Sequence, residues 1–236
     1  MKILARFALA PVLILGLFAN AALLSMPRGQ YREIVVHHTA SAHDDLASIR
    51  RAHLQRGWLE AAYHLVLSNG SAGRPLGSLE ASWRYRLGLW SPATRSPRHN
   101  LRAVHLCVVG NYETADVPRS VQLALGHAVA ALQERHGISN SRVALHRECS
   151  ATACPGRYLT RERLMAWKGE SATVSPEIAA DHRNALARGA LAGPLWWALA
   201  AAGNALWLLA LRACWRFAGR EAKRPALPEE TLGAPA

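Results

Sequence analysis

Cysteine is scarce in this chain, with 4 among 236 residues, too few and too spread to act as a disulfide scaffold. Acidic side chains are also in deficit: Asp and Glu total 16 against 28 Lys and Arg, a formal charge of +12. The excess is carried almost wholly by arginine and favours phosphate, carboxylate or membrane head groups as partners. The features that make a basic chain a nucleic-acid binder are missing, however. The arginines are scattered, and no zinc-finger spacing, glycine-rich phosphate loop or leucine heptad accompanies them, so no nucleic-acid partner is expected. Internal repeats are absent too. A chain of this length has room for one domain with a well-buried core, plus short appendages.

Charge is missing altogether from two long stretches. After Lys2 and Arg6, Phe7 to Met26 is uncharged and includes Ala19-Asn20-Ala21, a small-x-small cleavage site. Residues 1–26 therefore read as a signal peptide, or as an amino-terminal membrane anchor if uncut. Gly189 to Leu211 is also free of charge and carries Trp196, Trp197 and Trp207, the residue type that gathers at membrane interfaces. We expect a transmembrane helix over 189–211, with a buried helix of a soluble core as the alternative. Arg212, Arg216, Arg220, Lys223 and Arg224 follow, a basic excess that the positive-inside rule assigns to the cytoplasm. The tail 212–236 is thus expected to be basic and then disordered, and 169–188 a polar linker. Residues 27–168 would form a catalytic domain on the outer side of the cytoplasmic membrane, a monomer whose lipid contact is the helix.

Within that middle part, Tyr31 to Thr39 contains Ile34, Val35 and Val36 and predicts a buried strand ending in a histidine pair. Strand side chains alternate, so His37 and His38 cannot face the same site. Ser41 and Asp44 fit a capping box for a helix with Leu46, Ile49, His53 and Leu54 on one face. Tyr63 to Ser68 predicts a strand closing on Asn69-Gly70 as a two-residue hairpin. Leu76 to Pro97 reads as a long loop that lines a groove with Trp83, Tyr85 and Trp90. A strand over Ala103 to Val109, a helix over Pro118 to His136, a short strand at Val143 to Leu145 and a helix over Thr160 to Trp167 complete an α/β fold with a mixed central sheet flanked by helices.

Hydrolytic zinc chemistry needs three protein ligands and one position left open for water. His37 at a strand end, and His146 and Cys154 just after another, are the side chains able to supply them. Taken singly, each also reads as a structural histidine or a small core thiol. Cys107 and Cys149 read as buried thiols, with a disulfide in an oxidising compartment as the alternative.

Several of these segments resemble one family in order and spacing. Ile34-Val35-Val36-His37-His38-Thr39-Ala40, His53-Leu54-Gln55-Arg56-Gly57-Trp58 leading to Tyr63-His64, His99-Asn100, Val108-Val109-Gly110-Asn111-Tyr112, and His146-Arg147 with Thr152-Ala153-Cys154-Pro155-Gly156 look like the zinc amidases shared by phages, bacteria and animal peptidoglycan recognition proteins. The resemblance covers roughly Tyr31 to Trp167. It implies Zn2+ on His37, His146 and Cys154, and hydrolysis of the amide joining N-acetylmuramic acid to L-alanine in peptidoglycan. Tyr63 and Thr152 would be catalytic, with Tyr63 donating to the developing oxyanion. His53, Trp58, His99 and Asn100 are candidate substrate walls, each of which also reads as packing. Two departures stand out: Cys107 occupies the place where some members carry a glutamate base, and His105 replaces a common small residue and reads as structural. A membrane-held protein that binds peptidoglycan without cutting it, or one that reuses the fold as a structural module, is the competing function.

Overall fold

In the computed structural model, which describes residues 31–191, 198, 201–210 and 212, β-branched side chains decide the centre of the fold. The first strand, β1 (Glu33–His38), is buried along its whole length, as expected of a strand covered on both faces. It lies between β4 (Ala103–Val108) and β5 (Val143–Leu145), parallel to both. Next to β4 runs β2 (Leu65–Leu67), again parallel, and β3 (Leu79–Ala81) pairs antiparallel with β2 at the edge. The sheet order is β3-β2-β4-β1-β5, the mixed sheet expected from the sequence.

Parallel neighbours need crossovers, and helices supply them. α1 (Leu46–Gln55) links β1 to β2; α2 (Trp83–Leu87) and α3 (Pro97–Arg102) lie between β3 and β4; α4 (Arg119–His136) joins β4 to β5. One sheet face packs Ile34, Val36, Leu65, Leu106 and Val108 against Val121, Leu125, Val129 and Leu132 of α4 in the main core. On the other face Val66, Cys107 and Val109 meet Ile49 of α1, with Tyr63 at the margin. This second cluster is small and leaves room on its face for polar groups. After β5 come the short α5 (His146–Cys149), then α6 (Arg161–Gly169) and α7 (Pro176–Ala187).

Three local expectations are corrected. The capping box of α1 is Asp45 with Ser48, whose backbone N–H donates to Asp45 Oδ1 at 2.7 Å. Ser41 and Asp44 stand too far ahead of Leu46 to cap it, although Asp44 Oδ1 does accept from Ser48 Oγ at 2.7 Å. Asn69-Gly70 does not close a two-residue hairpin, since the β2–β3 register ends at Leu67 opposite Leu79 and the last backbone bonds join Ser68 to Ser78 and Gly77. The Asn69 side chain instead accepts from Ser71 N and donates to Ala42 O, turning the chain into a longer connection. The stretch 76–97 holds β3 and α2 rather than a groove-lining loop. Its Tyr85 is 1% exposed, while Trp83 and Trp90 remain at the surface, each beneath an arginine.

The expected linker 169–188 contains α7, which is docked. Ser175 caps it, Pro176 starts it, and His182, Ala185 and Leu186 are buried. Asp181 Oδ2 accepts the Leu79 backbone N–H at 2.7 Å, and His182 Nε2 donates to Gly77 O at 2.8 Å, so α7 covers the edge strand β3. Arg188–Leu191, which takes in the first residues of the expected membrane span from Gly189, forms a 3-10 turn against α2 and α7. Residues 201–210 are helical. Among the described residues no helix is long and apolar enough to cross a membrane. The expected amino-terminal segment 1–26, residues 192–197, 199–200 and 211 of the expected span and nearly all of the tail lie outside the described residues. Cys107 and Cys149 are free thiols, the first of them fully buried.

Candidate metal centre

Strand alternation sends His37 and His38 to opposite faces. His38 turns to the main core, where its Nδ1 accepts the Tyr112 backbone N–H at 3.2 Å. His37 points to the face shared with α1 and is wholly buried. His146 arrives from the other side, at the start of α5 directly after β5, and its ring centroid lies 4.5 Å from that of His37. Cys154 comes from the loop beyond α5, and its Sγ is 3.9 Å from His37 Nδ1. One ligand atom from each of His37, His146 and Cys154 lies within 4.8 Å of the others.

The loop that carries Cys154 is held by hydrogen bonds. Cys154 O accepts the Arg147 backbone N–H at 2.8 Å, and the Arg147 guanidinium donates to the carbonyls of Gly156 and Leu159. His38 N donates to Cys154 Sγ at 3.4 Å, a backbone dipole that stabilises charge on the sulfur. Gly156 has φ +95, and a β-carbon there would run into the backbone of Tyr112 and Glu113, so only glycine lets the loop lie this close. Gly110 plays the matching part at the end of β4. With φ +146 it leaves no space for a side chain against the Tyr112 ring, which tucks under it and donates to Val109 O at 2.6 Å.

The chemistry of the three donors fits a divalent transition metal. Burial, with His105 and His146 adding to it, holds the His37 pKa well below the usual imidazole value, and burial also lowers that of His146. Both rings therefore offer lone pairs at neutral pH. Burial pushes the Cys154 thiol up to about 11, against the opposing pull of the His38 N–H and Arg147. A cation would reverse that balance, since coordination deprotonates a thiol. Ligands around tetrahedral zinc stand roughly 3.3 to 3.7 Å apart, so the separations seen here close with small side-chain rotations. The set matches zinc's preference for imidazole and thiolate.

Tyr63 lies beside the trio, its ring 5.1 Å from that of His37. Burial, followed by the neighbouring Cys107 and Cys154, raises its pKa well above the usual phenol value, so it stays protonated and able to donate. His53 accepts the Ala62 N–H at its Nδ1, 3.0 Å away, and packs between Trp58 and Tyr63. It is 6% exposed, a brace for Tyr63 more than a wall. Trp58 is partly exposed on top of it. Thr152 is exposed, and its Oγ1 accepts from Cys154 N at 3.3 Å. His99 and Asn100 are committed to internal bonds. His99 Nδ1 meets Glu33 Oε2 at 2.7 Å, and Asn100 bridges to the backbone and hydroxyl of Thr94. The structure thus gathers His37, His146, Cys154 and Tyr63, with His53, Trp58 and Thr152 beside them, and ties His99 and Asn100 into the scaffold.

One neighbour that the sequence presents as structural stands directly behind the site. His105 lies on β4, where Val35 pairs with His105 and His37 with Cys107, and its Nδ1 is 2.9 Å from His37 Nε2. Alternation along His105, Cys107 and Val109 would have put it on the face of the site, but only the register between β1 and β4 shows which residue it meets.

Comparison with known proteins agrees with this picture. The family model described as N-acetylmuramoyl-L-alanine amidase matches residues 27–157, a span that includes all the residues gathered here and ends before α6 and α7. A peptidoglycan-recognition protein of Drosophila simulans is 30% identical over 145 residues, 58% of this chain and 74% of that protein. Its counterpart in Drosophila melanogaster matches to the same extent. Among solved structures, the N-acetylmuramoyl-L-alanine amidase LysC from Clostridium intestinale superposes with a TM-score of 0.51 at 21% identity, covering 61% of this chain and 89% of its own; that likeness is one of fold.

Proposed function

Because the chain belongs to the N-acetylmuramoyl-L-alanine amidase family, we propose that it is a zinc-dependent hydrolase that cuts the amide between N-acetylmuramic acid and L-alanine in peptidoglycan. The observation that carries this reading is the convergence of His37, His146 and Cys154 within 4.8 Å of one another, the three-ligand set of a hydrolytic site rather than a closed structural one. When bound, zinc supplies a Lewis acid for the carbonyl and lowers the pKa of water toward neutrality.

The remaining work falls to the side chains. Neutral His37 and His146 and an ionised Cys154 hold the cation, and the His38 N–H at 3.4 Å orients and steadies the sulfur. Tyr63, protonated across the working pH range, donates to the oxygen that gains charge as the amide carbon becomes tetrahedral. His53 keeps the Tyr63 ring in place through its contact at 5.6 Å and its bond to Ala62. Cys107, buried opposite His37 and with its thiol held well above the usual value by burial, is no general base. Proton handling therefore rests on Tyr63 and the solvent at the site. Thr152 braces the Cys154 loop from the exposed side. Trp58, at the mouth beside His53, is the aromatic surface best placed to meet a sugar ring or the stem peptide, and the arginine excess suits the carboxylates of that peptide.

A protein that binds peptidoglycan without cutting it is the competing reading, and one experiment separates them. The full-length protein is incubated with purified muropeptides, with and without a chelator, and the products are weighed by mass spectrometry. Release of free stem peptide, its loss with chelator and its loss in Cys154→Ala are expected. Binding without release, in protein shown to hold one zinc, would leave a receptor and sink the hydrolase.

A further inference from the structure

We propose that His105 is a positioning residue: it fixes His37 in the tautomer that leaves Nδ1 free to face Cys154, and so sets the metal site before any ion arrives. The inference rests on the metal-site reading above and deepens it.

The argument is a chain of forced choices. An imidazole that binds a metal must offer one nitrogen as a lone pair and carry its proton on the other. In His37, Nδ1 faces Cys154 Sγ at 3.9 Å and Nε2 faces His105 Nδ1 at 2.9 Å. Which of these two ring nitrogens carries the proton between them is settled one residue further on. His105 Nε2 lies 3.3 Å from the carbonyl oxygen of His99. A carbonyl can only accept, so the His105 proton sits on Nε2 and its Nδ1 is an acceptor. His37 must then donate from Nε2, and its Nδ1 keeps the lone pair. Both rings are 0% exposed, so the choice is set by these partners and not by bulk solvent.

The surroundings fix the second imidazole as firmly as the first. His64 stacks on His105 with centroids 5.6 Å apart and planes 21° from parallel. Its Nδ1 accepts the His105 backbone N–H at 2.9 Å, and its Nε2 donates to Leu89 O at 2.8 Å. The His99 carbonyl is anchored in turn. It also accepts the Ala103 N–H at the end of α3, while the His99 side chain is tied to the buried Glu33 at 2.7 Å. The bond that orients His37 thus runs back through β4 and α3 to a carboxylate at the far end of β1. Partners of this kind typically account for 10- to 100-fold in metal affinity.

The test begins with full-length protein stripped of metal, in which long-range 1H–15N correlation of the imidazoles reports each tautomer directly. His37 and His105 should both carry their proton on Nε2. His37 found protonated on Nδ1, or as an exchanging mixture, overturns the proposal, and this result does not depend on zinc being the natural ion. The second arm compares His105→Leu, which fills the space but cannot accept, with His105→Gln, which can accept and donate. Zinc competition against a chromophoric chelator should show roughly 10- to 100-fold weaker binding for the leucine variant and most of the affinity restored in the glutamine variant. Equal affinity of His105→Leu and the unmodified protein would also overturn it. Should the leucine variant fail to fold, the tautomer measurement decides alone. Absence of zinc binding in the unmodified protein, with the Nε2 tautomer intact, would count against the metal site and leave the relay standing.

Discussion

Lowering the pH from 7 to 5 should destabilise this domain by several kcal/mol, because its buried histidines are held in the neutral form by bonds that protonation breaks. His182 is the clearest case. Its Nε2 donates to Gly77 O at 2.8 Å, so its Nδ1, 2.8 Å from His127 Nδ1, must be the acceptor of that pair. A second proton would set N–H against N–H. His64 is built the same way, with Nε2 donating to Leu89 O and Nδ1 accepting a backbone N–H. Burial lowers the pKa of His182 from 6.5 to about 4 and that of His64 from 6.5 to about 3. The sign follows from linkage. Both groups are depressed bases, so above pH 6.5 neither state is protonated and nothing is lost; between 6.5 and about 4 the unfolded chain takes up protons that the fold refuses. At pH 5 each costs about 2 kcal/mol, about 4 kcal/mol for the pair. His136, partly exposed and lowered to about 4 mainly by burial, adds a smaller share. Against a total stability of about 5 to 15 kcal/mol, that is a large fraction. Urea unfolding of metal-free, full-length protein at pH 7 and pH 5 measures it without interference from proton-linked metal release. His182→Gln should be less stable at pH 7 yet lose about 2 kcal/mol less on acidification, the share of that one group. A change below about 1 kcal/mol between the two pH values would refute the reasoning.

Two further outcomes follow from the site and from the docked helix. Tyr63→Phe should retain its metal content and its KM but lose about 100- to 1000-fold in kcat, the usual effect of removing one oxyanion donor, as measured on a soluble muropeptide. Asp181→Ala leaves the buried Leu79 N–H of the edge strand without its acceptor. It should cost about 1 to 3 kcal/mol in thermal or urea unfolding, speed hydrogen exchange at Leu79, and leave the zinc site intact.

What was legible in the sequence, and what was not, divides along a physical line. β1 could be read because Ile34, Val35 and Val36 need burial on both faces whatever their neighbours do, and the opposite aim of His37 and His38 follows from the pleat alone. The convergence of His37, His146 and Cys154 was also within reach, since it needs only that two strand ends lie side by side. The docking of α7 was hidden for the opposite reason. Its anchors are Asp181 and His182, polar residues that bond to the backbone of another element, and its apolar contribution is as thin as Ile178, Ala185 and Leu186, so no hydrophobic period betrays it. β3 is held by the same contacts, and its three residues are too few for alternation to mark them as a strand. His105 belongs to this second class. A histidine in a buried strand is ambiguous until the register between β1 and β4 says which atom it meets. Once Val35 is known to pair with His105, the direction of every proton from the His99 carbonyl to His37 Nδ1 is determined. Residues whose role depends on apolar area announce themselves locally; those whose role depends on a single partner become readable only when the strands are laid side by side.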